Sequence, residues 1–249
     1  MQIKTISKSP VLVQRQYYVD TASEYDRMHA GEAAEDAATL QVIIPLLRSF
    51  QVRSLLDVGS ATGRGLPKLA AGLPGAFICG VEPVGALISQ GVSSGAAGGL
   101  PLIQGSGDSL PFADQSFDAV CEFAILHHVP DPSVVVGEML RVARNVVVIA
   151  DCNRFGQGPI LLRILKLFLY KSGLWGLYDF LRTRGKGYQT SPGDGIFYSY
   201  SVYDNYDQIC QWADRILLFS YGETRNWSWF QPLLNSGNVL LIATRRKTA

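Results

Sequence analysis

Between residues 32 and 50, apolar side chains fall at Ala37, Leu40, Ile44 and Leu47, the spacing of one helix face, with Pro45 as the point where that helix kinks. An apolar run over 52–58 follows and stops at glycines; Leu66, Leu69, Ala70 and Leu73 then recur at i, i+3, i+4 and i+7. The pattern predicts strand, glycine turn, helix. The alternation continues with a strand over 76–81 ending at Glu82, a short helix over 84–90, and a Gly/Ser/Ala-rich loop or frayed helix end over 91–99. A minimal strand over 102–104 and a largely apolar one over 117–124 come next. Asp131 and Pro132 suit the N-cap and first residue of a helix reaching Val142, and NVVVIA, 145–150, is a fifth strand.

The last hundred residues break this rhythm. Residues 158–182 read as one or two strongly apolar helices, and 183–200 as a Gly-rich loop containing aromatics. A helix over 203–213 precedes strand-like runs at 216–221 and 239–244, whose connection lacks a helical pattern and so predicts an antiparallel pair at the sheet edge. Together these elements give an α/β fold: a doubly wound, mostly parallel seven-stranded sheet with an antiparallel edge strand and a helical insertion after the fifth strand.

Composition narrows the classes. Of 249 residues, 47% are hydrophobic and 17% charged, a balance that builds a globular core rather than a disordered chain. The net charge of +1 gives no reason to expect a nucleic-acid partner or an acidic membrane. Cys79, Cys121, Cys152 and Cys210 are far apart and form no CxxC pair, which predicts reduced, buried thiols in a cytoplasmic protein. Charges break every apolar stretch of MQIKTISKSPVLVQRQYY, so no secretory signal is expected, and no apolar run approaches transmembrane length.

The loop LLDVGSATGRG, 55–65, carries the first chemistry. A dinucleotide fingerprint needs GxGxxG, but counting from Gly59 the third position is Ala61 and the sixth Arg64; the lysine and hydroxyl of a P-loop are missing as well. With Asp57 ending the strand and Gly59, Ser60, Thr62, Gly63 and Gly65 after it, the segment resembles class I S-adenosylmethionine-dependent methyltransferases of the small-molecule, methyltransferase type 11-like group. Ala61 stands where that family usually has its middle glycine. The resemblance extends over roughly 52–151, through CGVEP, GSGDSLPFADQSFDAV and CEFAILHHVPDP. It implies a Rossmann-like methyltransferase fold, S-adenosyl-L-methionine as cofactor and S-adenosyl-L-homocysteine as product. It also implies cofactor contacts from Asp57, Gly59, Ser60, Ala61 and Gly63 at the methionine end, and from Glu82 and Pro83 at the ribose. Asp108 would meet the adenine amino group, Ser109 and Leu110 would border the ring, and Phe123 and Ala124 would lie at the end of the fourth strand. YYVDTASEYD, 17–26, is similar to the segment that caps the cofactor in relatives, which points to Tyr17 and Tyr25.

The acceptor side is read from residues near the expected reaction centre. His128 is the candidate general base for a hydroxyl acceptor; His127, Asp151 and Asn153, with Tyr188 and Tyr198 from the loop, are the candidate acceptor contacts, Phe197 and Tyr200 lying in the same loop. Asp151 and Asn153 read equally well as caps for the next segment. DCN alone does not make the oxygen cluster of a metal-dependent enzyme, so no metal is expected. Four regions follow: a helical cap, 1–50; a cofactor-binding core, 51–153; a helical and loop insertion covering the acceptor, 154–200; and 201–249, completing the core. The reading is methyl transfer to a small molecule such as a hydroxyl of a glycan or secondary metabolite. Two alternatives stand beside it: a lipid-linked or isoprenoid acceptor reached through a basic interfacial helix at 160–170, and a non-catalytic cofactor-binding module.

Overall fold

A computed structural model describes residues 9–224 and 228–245, so the first eight residues of the stretch read for a leader lie outside the described residues. The strands are β1 (Ser54–Val58), β2 (Phe77–Glu82), β3 (Leu102–Gln104), β4 (Phe117–Phe123), β5 (Ala143–Cys152), β6 (Gln189–Ser191), β7 (Gly195–Phe197), β8 (Arg215–Thr224) and β9 (Ser236–Thr244). The helices are α1 (Pro10–Thr21), α2 (Tyr25–Met28), α3 (Ala33–Ser49), α4 (Leu66–Gly72), α5 (Gly85–Ser94), α6 (Pro132–Val142), α7 (Ile160–Lys171), α8 (Trp175–Arg182) and α9 (Tyr206–Trp212).

Seven strands form one sheet in the order β3-β2-β1-β4-β5-β9-β8. The first five run parallel, and β9 runs antiparallel to both β5 and β8, which makes the predicted pair at the edge. Strand order reverses between β1 and β4, so the carboxyl ends of the parallel strands open a crevice at that switch point.

Alternation along β1 sends Leu55 and Leu56 to opposite sides of the sheet. Leu55 packs with Leu40, Ile43 and Leu47 of α3 and Leu66 and Leu69 of α4, whereas Leu56 packs with Val135, Val136 and Met139 of α6 and Ile209 of α9. Both faces are covered, which is why β1, β4 and β5 are almost continuously apolar. Asp131 caps α6 as its sequence predicts, its carboxylate accepting from the Ser133 N–H at 3.1 Å.

Several elements depart from the sequence pattern. The N-terminal segment carries α1, whose apolar Leu12, Val13 and Val19 face solvent while polar Gln14 is buried. Helix α5 continues to Ser94 and stops at Gly95, whose φ of 76° ends the helix in the left-handed region. Of the one or two helices expected over 158–182 there are two, separated at Gly173 (φ 74°), in keeping with the pattern. Within the expected loop 183–200, β6 and β7 pair as a small antiparallel hairpin.

Helix α5 is seated directly on the glycine loop. A Cβ at Gly91 would sit 1.9 Å from the Thr62 carbonyl oxygen, so glycine is the residue that allows this approach. Gly91→Ala must push α5 and the loop apart, with an expected loss of at least roughly 1–3 kcal/mol, the usual cost of overpacking. A shift of the urea midpoint at unchanged slope checks it; an unshifted midpoint would show that the two backbones are not in contact.

Candidate functional site

The glycine loop is held across the end of β2. The N–H groups of Gly59 and Ser60 both donate to the Val81 carbonyl, at 2.8 and 3.1 Å, and Gly63 N–H closes the turn on Ser60. Gly59, Ala61 and Gly63 all have positive φ, at 73°, 51° and 76°. The left-handed conformation at Ala61 explains why glycine is usual there, and alanine's single methyl is small enough to be accommodated. The buried Glu82 carboxylate fixes the loop from below, accepting from Ala61 N–H at 3.0 Å and from Val84 N–H at 2.9 Å. Burial lifts the Glu82 pKa to about 7, partly opposed by those two N–H groups and by Arg15.

Side chains from the N-terminal segment cover this loop. Thr62 donates to Asp26 at 2.6 Å and Arg64 to the His29 carbonyl at 2.9 Å. Tyr25 stacks on His29 with ring centroids 4.2 Å apart, and Tyr18 meets Tyr25 edge-on at 6.0 Å. Arg15 of α1 reaches Ser106 at 3.0 Å, bridging α1 to the segment that carries Asp108.

The opposite wall is built on the two histidines after β4. Nδ1 of His127 lies 2.8 Å from the fully buried Asp151 carboxylate, and Nδ1 of His128 lies 2.6 Å from the Ile196 carbonyl. A carboxylate and a carbonyl only accept, so both Nδ1 atoms carry hydrogen and both Nε2 atoms face outward. There they meet Asp194 in the turn of the β6–β7 hairpin, at 3.7 Å from His127 and 3.0 Å from His128. Burial alone would depress His127, but Asp151 and Asp194 outweigh it and lift its pKa to about 10; Asp194, although half-buried, is held well below the usual carboxylate range by the two imidazoles. The hairpin is tied down from α1 as well: Gln14 donates to the Asp194 carbonyl at 2.9 Å and accepts from Ile196 N–H. Gly195 (φ 72°) makes room for that amide, since a Cβ there would come within 2.4 Å of its oxygen.

These walls enclose one cavity of about 820 Å³, within the size range of small-molecule sites. Of the residues singled out from the sequence, Tyr25, Asp57, Gly59, Ser60, Ala61, Glu82, Pro83, Asp108, Phe123, Ala124, His127 and His128 line it. Others lie elsewhere. Gly63 packs behind the loop toward Ala97 and Leu102, and the Leu110 side chain is in the core under α6. Ser109 is exposed, its N–H closing a turn on Ser106. Tyr17 points away, donating to the Pro192 carbonyl at 2.8 Å; its neighbour Tyr18 faces the cavity instead.

On the acceptor side the corrections are larger. Asn153 is a fully buried strut: its amide donates to the Leu233 and Ser236 carbonyls, and its oxygen accepts from Phe155 N–H and Ser201. No polar atom of Asn153 is left for a ligand. Asp151 also has no exposed surface; it accepts from His127 and from the Leu126 N–H at 2.8 Å, holding the turn that carries both histidines. Tyr188 and Tyr198 pair edge-on at 6.1 Å, and Tyr198 lines a separate shallow cleft with Pro130 and Asp204; neither reaches the cavity. Tyr200 is buried and donates to Asn205.

Sequence reasoning missed Gln14, Tyr18, His29, Asp194 and Glu122. SPGDG was a readable turn signal for Asp194, because Asp-Gly between two short runs marks a hairpin. The buried Glu122, raised well above the usual carboxyl range by burial and by Asp151, gave no such signal inside its apolar strand. Two groups, His127–His128–Asp194 and His127–Asp151–Cys152, each bring three ligand-type atoms within 4.8 Å of one another, and in both the imidazoles are already matched to carboxylates.

A family model described as a methyltransferase domain matches residues 56–149. A relative from Mycobacterium marinum, described as an uncharacterised methyltransferase, is 31% identical over 229 residues, 87% of each chain. Among solved structures, magnesium protoporphyrin IX methyltransferase of Synechocystis PCC 6803, with bound S-adenosylhomocysteine, superposes with a TM-score of 0.62 at 14% identity, over 96% of this chain and 100% of that one. A Thermotoga maritima S-adenosylmethionine-dependent methyltransferase, described as a possible histamine N-methyltransferase, gives 0.59 at 16%, over 93% and 99%. The fold and the glycine loop define a class I methyltransferase, and the chain belongs to the S-adenosylmethionine-dependent methyltransferase family.

The raised Glu82 pKa has a stability consequence with a definite sign. A carboxyl near 4.5 unfolded and near 7 folded contributes stability that is complete below pH 4.5 and is lost as pH rises through about 7, of the order of 3 kcal/mol. Compared with Glu82→Gln, the ligand-free wild type is therefore expected to lose melting temperature between pH 5 and pH 8. Parallel melting curves of the two proteins across that window would refute the burial account.

Proposed function

We propose that the chain transfers the methyl group of S-adenosylmethionine to a hydroxyl of a small molecule, such as a glycan or secondary metabolite, admitted beneath the β6–β7 hairpin. One observation carries this reading: a single cavity has Asp57, Glu82 and Asp108 along one wall and the histidine pair at the other. Carboxylates accept hydrogen bonds, so this wall suits a ligand rich in donors, an ammonium, two ribose hydroxyls and an adenine amino group, and disfavours a pyrophosphate. Asp57 with Gly59, Ser60 and Ala61 would hold the amino-acid end, Glu82 with Pro83 the ribose, and Asp108 the base. Tyr18 and Tyr25 would close the site from above, with Phe123 and Ala124 below the reacting centre. Bound cofactor supplies a methyl group on a sulfonium, and the protein's task is to align the acceptor for in-line displacement.

His128 is the residue best disposed to take the acceptor's proton. Its Nδ1 hydrogen is fixed on Ile196, which leaves Nε2 as the exchanging atom. Asp194 faces that atom at 3.0 Å and only accepts, so Nε2 also carries hydrogen in this state. The acceptor hydroxyl must displace the carboxylate, and that proton must leave with Asp194 or to solvent, before Nε2 can take the acceptor's proton. After transfer, Asp194 is near enough to stabilise the imidazolium. Residues 154–200, which include this hairpin, form the acceptor cover in this reading. The free thiols suit a reducing, cytoplasmic setting; only Cys79 and Cys121 are buried as expected, Cys152 being half-buried and Cys210 exposed. A second reading, an acceptor dissolved in lipid, draws support from the exposed apolar faces of α7 and α8.

The test is incubation with methyl-labelled cofactor and a small-molecule extract. Label is expected in an extractable small product; label only in protein or nucleic acid would overturn the reading. Glu82→Ala should weaken S-adenosylhomocysteine binding by roughly 1–3 kcal/mol in a calorimetric titration, and unchanged affinity would remove Glu82 from the site. His128→Ala should lower turnover by about 100-fold, the low end for general base catalysis, while binding S-adenosylhomocysteine as tightly as wild type. Full activity in that variant would exclude His128 from the proton's path.

A further inference from the structure

We propose that the helical hairpin α7–α8 docks on a lipid bilayer that carries anionic headgroups. On α7, Leu161, Ile164, Leu165 and Phe168 occupy i, i+3, i+4 and i+7 and are 79%, 51%, 46% and 63% exposed. Leu177, Phe180 and Leu181 of α8 are 61%, 59% and 67% exposed, and Leu174, in the turn between the helices, is 47% exposed. An amphipathic helix in a globular protein turns its apolar stripe to the core. Here two consecutive helices turn theirs outward, and a contiguous exposed apolar surface marks an interaction site.

Charge identifies the occupant. Residues 155–193 contain six lysines and arginines and one acid, Asp179, which is paired with Arg182 at 2.7 Å. The whole chain has 22 basic and 21 acidic residues, so everything outside this segment carries an excess of acids. The cations are divided by position. Arg163 is buried and donates to the Gly158 and Leu234 carbonyls, and Lys166 donates to those of Arg154 and Gln157, so both serve the fold. Lys171, Arg182, Arg184 and Lys186 are exposed at and beyond the helix ends. An apolar stripe flanked by surface cations is the composition of a helix lying in the headgroup region. Self-association through the same surface would bring two strongly basic segments together, which disfavours a second copy as the cover. Among the described residues no helix is long and apolar enough to cross a membrane, so the contact is with the surface of the bilayer.

The inference holds whichever acceptor is methylated. The full chain is mixed with vesicles of phosphatidylcholine, alone or with phosphatidylglycerol, and floated on a density gradient. Flotation with the mixed vesicles at low salt is expected, reduced at least tenfold when phosphatidylglycerol is omitted or salt is raised. Phe168→Glu and Leu177→Glu, both at exposed positions, should each abolish flotation while leaving the circular dichroism spectrum and S-adenosylhomocysteine binding intact; Lys171→Glu with Lys186→Glu should lower it at least tenfold. A wild-type chain that stays at the bottom of the gradient with every vesicle overturns the proposal. So does flotation that is indifferent to the apolar substitutions. A dimer in solution that Phe168→Glu converts to a monomer, with no flotation by either form, would assign the surface to a second copy instead.

Discussion

The site depends on one buried carboxylate. Glu82 ends β2 and accepts the N–H groups of Ala61 and Val84, one on each oxygen, so the glycine loop after β1 and the entry to α5 are fixed to the same carboxylate. Without that anchor, the left-handed backbone at Ala61, between Gly59 and Gly63 that share its positive φ, would lose the acceptor of its own N–H. The close seating of α5 on Thr62 at Gly91 holds the same loop from its other side. A turn that is conformationally costly residue by residue thus becomes rigid, which is what a site that must orient a methyl donor requires.

The far wall follows a different principle, in which charge is matched across elements distant in sequence. Asp151 orients His127, Ile196 orients His128, and Asp194 faces both imidazoles through the tip of a hairpin. Gln14 joins α1 to that same tip. The cover over the cavity is therefore made of two pieces, one from each side of the core, linked through a few polar contacts rather than a large apolar interface. A cover built this way can be displaced by a polar acceptor that competes for the same hydrogen bonds.

Helices α7 and α8 sit between the core and this hairpin in the chain. Their inner face is anchored by Arg163 and by the Arg154 guanidinium, which lies over the Trp175 and Tyr170 rings at 4.9 and 5.5 Å and is paired with Asp204. Their outer face is apolar with cationic ends. A segment fixed inside and apolar outside that leads directly into the β6–β7 hairpin would, on the proposals above, join recognition of a surface to admission of an acceptor.

The alternation of apolar runs with helical spacings was enough to predict the parallel sheet, because strands buried on both faces and helices buried on one have distinct local periods. The acids at strand ends and the glycine turn were legible for the same reason: each stands at a fixed step from a strand. The cover was not. In α1, Leu12, Val13 and Val19 face solvent and Gln14 is buried because its partners, Asp194 and Ile196, lie about 180 residues away, and no local pattern encodes such a contact. Asn153 and Asp151 read from sequence equally as ligand contacts or as caps; Asn153 caps the turn at Phe155, and burial and neighbouring carbonyls, N–H groups and an imidazole had already claimed the polar atoms of both. Tyr17 and Tyr18 are adjacent and chemically alike; only the docking of α1 decided which one faces the cavity. The sequence by itself determined the framework and the positions where chemistry could occur, since these follow from local period and chain geometry. Which side chains remain available for that chemistry was decided by tertiary packing, because a hydrogen-bonding group already satisfied by the protein has nothing left to offer a ligand.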